Sequence, residues 1–373
     1  MAYAIRTGQP SATEVVTRDS HNAHGRAREA DLALASGQEC GPVLVTGAGG
    51  YIGSALAKTL AAVRPAGLVL LDSSEHNLFG IHRCLEEAQI PHEAILGSVT
   101  DAGLLNRVLD RFRPRIVYHA GALKHVSLLE LNPLAAVREN ALGTYTLAQA
   151  AIHHGVRALV LVSTDKAVNP HSIMGASKRV AELTVAALSS GLCRMNAVRL
   201  GNVIGSTGSV GPIFLEQISR GGPVTVTHPE VSRYFITLHD TVEAILAAGA
   251  AECDGRILLP ELGEPVRIAD LARSLTGAAP DLPAGEIEIQ FIGLRPGEKL
   301  REDLMFESEV REGLAIRTPG PAPAELHESM ARIACLLAAG DLAGLIETIG
   351  AMVPEYRPSS LIYTAIEARG TVR

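Results

Sequence analysis

Tryptophan is absent from the 373 residues, and aromatic side chains make up only 3% of them, as 7 Tyr and 6 Phe. Positive charge is not in excess either: 33 Lys and Arg against 40 Asp and Glu leave a net charge of −7. A chain without a basic surface or aromatic stacking platforms lacks the footprint of a nucleic-acid binder, so no nucleic-acid partner is expected. The five cysteines, Cys40, Cys84, Cys193, Cys253 and Cys335, are scattered, with no C-x-x-C pair. That spacing excludes a disulfide framework and a zinc knuckle, fits a reducing compartment, and gives no reason to expect a metal. No apolar run approaches the roughly 20 residues of a membrane span, and the first 40 residues carry no signal-peptide core. The expectation is a cytoplasmic chain without a membrane span.

Apolar residues are plentiful at 47%, with 20% charged, and the length is ample for a large buried core. At roughly 150 residues per domain the chain holds two or three units, or one large domain with a lobe. Residues 1–40 read as an N-terminal extension, helical around 23–34. From Pro42 short β-branched runs alternate with helical patterns: Val43 to Thr46, Leu68 to Leu71, Ala94 to Leu96, Ile116 to His119 and Ala158 to Val162 are the strands. The helices between them include Ile52 to Val63, Glu75 to Glu87, Leu104 to Arg111, Leu134 to His154 and Met174 to Leu188. Apolar strands separated by helices predict parallel strands buried on both faces, a doubly wound α/β sheet of the Rossmann kind. Residues 41–204 plus about 236–260 form that domain. Gly and Pro become dense after Arg199, and residues 205–235 plus 261–373 are assigned to a smaller α/β substrate-binding lobe with C-terminal helices. Two helical segments, near Ala324 to Ala339 and Leu342 to Met352, are expected to end the fold.

The first strand runs into Gly47, Gly50 and Gly53, a G-x-x-G-x-x-G pattern that includes Tyr51 and Ile52 and opens a helix. Glycines here permit a tight turn and bring backbone N–H groups close to a pyrophosphate, while the helix N-terminus favours an anion. A ligand-free glycine turn is the alternative use of such a motif. The second strand ends at Asp72, 19 positions after Gly53. A carboxylate there accepts the ribose hydroxyls of an adenosine and repels a 2′-phosphate. Ser73 and Ser74 follow, with no adjacent Arg, so NAD is preferred and NADP is the alternative. Asp72 could instead cap the next helix, a task that Ser73 or Ser74 would perform equally well.

The fifth strand ends in Thr164, Asp165 and Lys166, where ligands of an open parallel sheet bind. Met174 and Lys178 follow four apart, on one helix face. These features, with the glycine pattern and the Tyr-x-x-x-Lys-like spacing, resemble extended short-chain dehydrogenases/reductases acting on nucleotide sugars. Four stretches narrow the resemblance to the polysaccharide-biosynthesis family of UDP-N-acetylglucosamine 4,6-dehydratases. They are residues 119–126, residues 163–170 with 174–179, residues 199–203, and residues 293–300. Residues 222–229 and 232–235 are also similar. The likeness spans about Pro42 to Glu312.

That resemblance implies a 4,6-dehydratase with tightly bound, regenerated NAD, a UDP-sugar substrate and a homo-oligomeric assembly. Met174 stands where the superfamily usually has its Tyr, as in one branch of these dehydratases, and it has no proton to exchange. The resemblance places Lys178 on the nicotinamide ribose, Lys166 as the base at carbon 5, and Asp165 as the acid at carbon 6, beside Thr164. Ser73, Ser98, Val99 and Ala120 complete the cofactor site, although Ser98 stands where an Asp commonly contacts adenine. Lys124, His125, Asn202, Arg233, Arg295 and Glu298 are assigned to the substrate, and Asn140 to bracing the active-site backbone. Gly121, Ser127, Gly211 and His239 also depart from the family pattern. A free lysine titrates near about 10.4 and a free aspartate near about 3.9, so a paired Asp165 and Lys166 would each be held in the wrong state for their tasks. A 4-epimerase of the same fold and a non-catalytic NAD-binding sensor are the competing readings.

Overall fold

The computed structural model describes residues 41–277 and 287–370. The helix expected around 23–34 lies outside the described residues. The centre of the fold is a sheet of nine strands, and its spine is parallel. Its first strands are β1 (Val43–Thr46), β2 (Leu68–Asp72) and β3 (Glu93–Leu96), followed by β4 (Ile116–His119), β5 (Ala158–Thr164) and β6 (Arg194–Leu200). They lie in the order β6-β5-β4-β1-β2-β3. The helices α1 (Tyr51–Ala62), α2 (Glu75–Glu87) and α3 (Ala102–Phe112) make the early crossovers. Val43, Leu44 and Val45 are fully buried, and so are Leu159 and Leu161 of β5. This burial on both faces is what the unbroken apolar runs require.

Strand order reverses between β1 and β4, so the loops after these two strands part there and leave a crevice at the carboxyl ends. The chain then departs from the expected single helix over 134–154. It forms two short helices, α4 (Val126–Leu131) and α5 (Pro133–Ala136), then a π-helix over Val137–Leu142, and then α6 (Gly143–His153). The wider turn carries Asn140, fully buried, whose side chain reaches the loop after β4. The longest crossover helix, α7 (Ile173–Leu188), is buried along nearly its whole length.

After β6 come a short strand β7 (Asn202–Val203) and α8 (Val210–Ser219). This helix went unseen among the Gly and Pro residues. Then follow β8 (Val224–Val226), β9 (Ser232–Arg233) and β10 (Phe235–Ile236). The helix α9 (Leu238–Ala250) returns to the large sheet, and β11 (Ile257–Leu258) pairs with β6. The lobe continues with β12 (Val266–Arg267), α10 (Ile268–Gly277) and β13 (Ile289–Phe291). Its own small core gathers Phe214, Ile218, Val224, Val226, Ile268 and Leu271.

The later residues do not join that lobe as assigned. The strands β14 (Val310–Glu312) and β15 (Ala315–Arg317) extend the large sheet antiparallel beyond β11. The helices α11 (Pro323–Ala339) and α12 (Leu342–Met352) bury Leu326, Met330, Ile333 and Leu345 in the main core, against α7. A third helix, α13 (Ser360–Gly370), follows, so the fold does not end at Met352. The apolar stripe of α11 is what decides its location, because α7 presents an apolar surface that must be covered. Among the described residues no helix is long and apolar enough to cross a membrane.

Candidate active site

At the switch point the loops after β1 and β4 touch through their backbones. Gly47 has φ +66°, and a Cβ on it would stand 2.4 Å from Gly121 Cα. A Cβ on Gly53 would stand 2.0 Å from the Gly47 carbonyl oxygen. Only glycine fits either place, and the result is a tight turn ending at Gly50, the N-cap of α1. No acidic side chain occupies the first turn of α1, so the positive end of its dipole is not neutralised. Asp72, 7% exposed, accepts from the Gly49 N–H with Oδ2 at 2.9 Å and from the Ser74 N–H with Oδ1 at 2.8 Å. Ser74 caps α2, so Asp72 is not spent on that task. Ser73 is exposed beside it, and Ile52 lies half-buried on α1. Ser98 donates to Glu139 Oε2 at 3.0 Å, Val99 is buried, and the Ala120 N–H donates to the Thr46 carbonyl. The Tyr51 hydroxyl donates to the Ile204 carbonyl at 2.9 Å, tying the cradle to the loop after β7.

Beneath the crevice lies His119, 1% exposed. The Thr144 hydroxyl gives its one proton to the Asn140 carbonyl. His119 Nε2, 3.0 Å away, must therefore carry a hydrogen, and Nδ1 accepts from Thr46 Oγ1 at 2.7 Å. Burial, reinforced by the nearby Lys178 ammonium, lowers His119 to about 3. The unfolded chain therefore binds a proton at His119 that the folded chain refuses between about pH 6.5 and pH 3. Stability falls as pH drops through that window. At pH 5 the loss is on the order of 2 kcal/mol, and urea unfolding of His119→Asn at pH 7.5 and pH 5 is expected to lack that part of the pH dependence.

Lys178, 4% exposed, donates to the Val162 carbonyl at 2.7 Å. Burial, only partly offset by Glu182, lowers its ammonium to about 8. One turn earlier, Met174 packs in the main core at 3% exposure and offers no proton-transfer group. Asn140 bridges α7 and the loop after β4. Its Oδ1 accepts from the Leu123 N–H, and its Nδ2 donates to the Leu123 carbonyl and to Ser177 Oγ.

The tip of β5 turns through one 3-10 turn, Asp165–Ala167, with Thr164 capping it. Asp165 is fully buried. Its Oδ1 accepts from Thr164 Oγ1 and from Lys166 Nζ, both at 3.0 Å, while Oδ2 has no hydrogen-bond partner among the described residues. Lys166 also donates to Asn202 Oδ1 at 2.8 Å. The pairing anticipated as a difficulty is thus present, and Thr164, Asp165, Lys166 and Asn202 form one connected cluster.

Of the other residues assigned to the substrate, Arg233 reaches this cluster through Glu302, and the rest make other contacts. Arg233, 7% exposed, donates to the Ser232 and Leu300 carbonyls and lies 3.7 Å from Glu302. Glu298 accepts from the Arg295 N–H within their own turn, so one of its oxygens is already used; Arg295 is exposed. Gly297 of that turn lies against Ser172 and Glu130 at the start of α7. In the loop after β4 Lys124 donates to the Thr207 carbonyl at 2.8 Å, and His125 packs on Gly208. Burial lowers Lys124, and burial together with Lys124 lowers His125.

A second charged cluster, behind the reactive turn, went unrecognised in the sequence. Arg199 is fully buried and holds Glu182 through Nε and Nη2 at 3.1 and 2.8 Å. It holds Glu309 through Nη1 and Nη2 at 2.8 and 2.9 Å. Arg179 joins both carboxylates, and Ser163, next to Thr164, donates to Glu182 at 2.7 Å. Burial alone would raise Glu182, but Arg199 and Arg179 outweigh it and hold the carboxyl below its ordinary value. β5, α7, β6 and the segment before β14 are pinned together here.

Comparison with known proteins bears directly on this arrangement. The family model described as polysaccharide biosynthesis protein matches residues 43–318. The chain belongs to this family. It is 42% identical over 288 residues to the capsular polysaccharide biosynthesis protein CapD of Staphylococcus aureus, covering 76% of this chain and 48% of that one. It thus spans about half the length of the first curated relatives it matches. A UDP-N-acetylglucosamine 4,6-dehydratase (inverting) of Campylobacter jejuni is 32% identical over 273 residues, 72% of this chain and 78% of that one. A UDP-glucose 4-epimerase of Rickettsia rickettsii is 37% identical over 205 residues, 54% and 59% of the two chains. Among solved structures, the dTDP-glucose 4,6-dehydratase DesIV of Streptomyces venezuelae, with NAD and DAU bound, aligns with TM-score 0.62 and 25% identity, over 70% of this chain and 88% of that one.

The chain is thus a member of the polysaccharide-biosynthesis family and an extended short-chain dehydrogenase/reductase. It carries the glycine cradle after β1 and Lys178 on α7, and one turn before that lysine it has Met174, which has no proton to exchange. The titratable side chains in the turn that ends β5 are Asp165 and Lys166.

Proposed function

We propose that the protein is a nucleotide-sugar 4,6-dehydratase acting on UDP-N-acetylglucosamine or a related UDP-sugar. The observation that carries this reading is the Asp165–Lys166 pair at the carboxyl end of β5, with Met174 in place of a tyrosine. An elimination needs an acid and a base close together, and fully buried Asp165 with half-buried Lys166 supplies both.

The cradle fits a dinucleotide. Backbone stands against backbone at Gly47 and Gly53, where a Cβ would fill the turn, and Asp72 keeps lone pairs for ribose hydroxyls while offering a 2′-phosphate only repulsion. Those features favour NAD over NADP. When bound, NAD supplies the hydride acceptor for carbon 4 and the donor for carbon 6. Gly47, Gly50, Tyr51, Ile52, Gly53, Asp72, Ser73, Ser98, Val99, Ala120 and Lys178 hold it. On the sugar, Lys166 takes the proton from carbon 5, acidified by the neighbouring ketone. Asp165 protonates the hydroxyl that leaves carbon 6 as water, and the proton released from the carbon 4 hydroxyl on oxidation makes up the one lost with it. The Lys166 ammonium returns a proton to carbon 5, and the product is a 4-keto-6-deoxy sugar nucleotide. Asp165 Oδ2 is the oxygen suited to carry the proton for the leaving hydroxyl, because Oδ1 already accepts twice. Proton transfer from Lys166 to Asp165 leaves the pair with no net change in charge, so a dry site does not oppose it. Arg233 and Arg295 supply planar cations for the diphosphate, with Lys124, His125, Asn202 and Glu298 around the sugar and uridine.

A 4-epimerase is the second reading, and the Rickettsia relative favours it. It needs no acid for a leaving hydroxyl, so it gives the buried Asp165 no task. Incubation with UDP-N-acetylglucosamine, without added NAD, tests the two. Mass spectrometry is expected to show loss of one water, and NMR in heavy water deuterium at carbon 5. An isomer of unchanged mass would establish the epimerase instead.

A further inference from the structure

Lys166 faces a third group that neither the sequence reading nor the proposed mechanism uses. Glu302, 6% exposed, places Oε1 at 3.9 Å from Lys166 Nζ. Arg233 Nε is 3.7 Å from the same oxygen, and Lys299 Nζ is 3.1 Å from Oε2. Lys299 is 9% exposed and donates to the Val168 carbonyl at 3.0 Å. Asp303, next in line, accepts from Asn169 and lies 3.7 Å from Lys299. The segment 299–303 therefore lies along the reactive turn 165–169, with Glu302 as its only carboxylate directed at Lys166 among the described contacts.

We infer that Glu302 is a positioning residue for Lys166, a second carboxylate that holds its ammonium between two negative charges and ties the reactive turn to residues 299–303. The inference takes its functional meaning from Lys166 as the base, but the geometry stands without it. The charged and titratable groups around the pair are Asp165 on the turn itself, Arg233 on β9, Lys299 and Asp303 on the segment, and His171 before α7. Burial would raise Glu302, and Lys166, Lys299 and Arg233 together hold it below its ordinary value, so it stands there as a carboxylate. Lys166 Nζ thus faces two carboxylates, Asp165 at 3.0 Å and Glu302 at 3.9 Å. Removing one charge near 4 Å changes a charge–charge interaction by an amount equal to about a tenfold change in population at the partly wet dielectric of a cleft.

The test reads the lysine itself. The chain has only five lysines, Lys58, Lys124, Lys166, Lys178 and Lys299, so trace acylation at pH 8 followed by peptide mass spectrometry resolves each one. Exposed Lys58 serves as the internal reference. Glu302→Gln keeps the shape and loses the charge, and Lys166 labelling relative to Lys58 is expected to rise about five- to tenfold. Glu302→Asp keeps the charge, and its labelling is expected to stay within about twofold of the parent. Unchanged labelling in a folded Glu302→Gln protein overturns the inference. So does an aspartate variant that moves Lys166 as far as the glutamine does, since that is the pattern of packing loss alone. Should Glu302→Gln fail to fold, parent-like labelling in Glu302→Asp supports the inference, and a raised rate overturns it. The labelling needs no substrate, so its outcome is separate from the dehydration assay.

Discussion

Lys166→Ala is expected to lose dehydration of UDP-N-acetylglucosamine, with kcat lower by about 10²–10⁴-fold, while NAD affinity stays within about threefold. The two readouts separate because the cradle and the reactive turn are held by different contacts. Gly47, Gly53 and Asp72 build the first from β1, α1 and β2, whereas Lys166 is held by Asp165 and Asn202 at the tips of β5 and β7. Removing the ammonium leaves Asp165 fully buried with only the Thr164 hydroxyl on Oδ1 and nothing on Oδ2. The variant therefore keeps the Asp165 carboxyl and lacks the amine proposed as the base. Deuterium exchange at carbon 5 then separates the roles: it is expected to vanish in Lys166→Ala and to persist in Asp165→Asn, where only departure of the hydroxyl is hindered. Full dehydration by Lys166→Ala, measured by mass spectrometry, would show that another group is the base.

Arg199→Leu is expected to cost stability more than any surface change, on the order of 3–5 kcal/mol by urea unfolding. The guanidinium makes five hydrogen bonds, two to each of Glu182 and Glu309 and one to the Leu304 carbonyl. Leucine fills much of the space but leaves two buried carboxylates with Arg179 as their one cation among the described contacts, beside the Ser163 hydroxyl and the Phe306 N–H. The loss is expected to shrink as pH falls, because protonation relieves the stranded carboxyls in the variant, whereas the parent holds Glu182 below its ordinary value. For contrast, the Arg83–Glu87 pair on α2 is mostly exposed on both sides, and its removal is expected to change stability by less than about 1 kcal/mol. If Arg199→Leu unfolds at the parent's urea midpoint, the cluster contributes nothing to holding β5, α7 and β6 together.

Much of this was legible in the chain because alternation between short apolar strands and amphipathic helices is a local signal. β1, β4 and α12 fall where the pattern put them, and the glycine spacing located the cradle without help from tertiary contacts. What stayed hidden depends on distance. The π-turn at Val137–Leu142 exists to aim Asn140 at Leu123, and no helical periodicity records that. α8 is obscured by the glycines and the proline around it, and the packing of α11 in the main core is not readable, because a stripe does not name the surface it will cover. Glu182, Glu302 and Glu309 look like solvated carboxylates in sequence; only contacts across 17 to 136 positions make them buried partners. One compositional signal was available. With 33 Lys and Arg in total and only five of them lysine, the chain makes nearly all its cations from arginine. Arginine cannot give up its proton, whereas a buried lysine does so readily. Three of the five lysines, at 166, 178 and 299, bond to β5 or to the turn after it, and that scarcity marks Lys299, and Glu302 beside it, as readily as any motif.

The bond from the Gly49 N–H to Asp72 has a consequence for redesign. In the proposed site, the side chain that would turn away a phosphorylated ribose is also a strut of the glycine turn. A substitution at 72 meant to admit that phosphate would therefore loosen the turn as well. Exposed Ser73 is the better place for an added cation, because the strut is left standing.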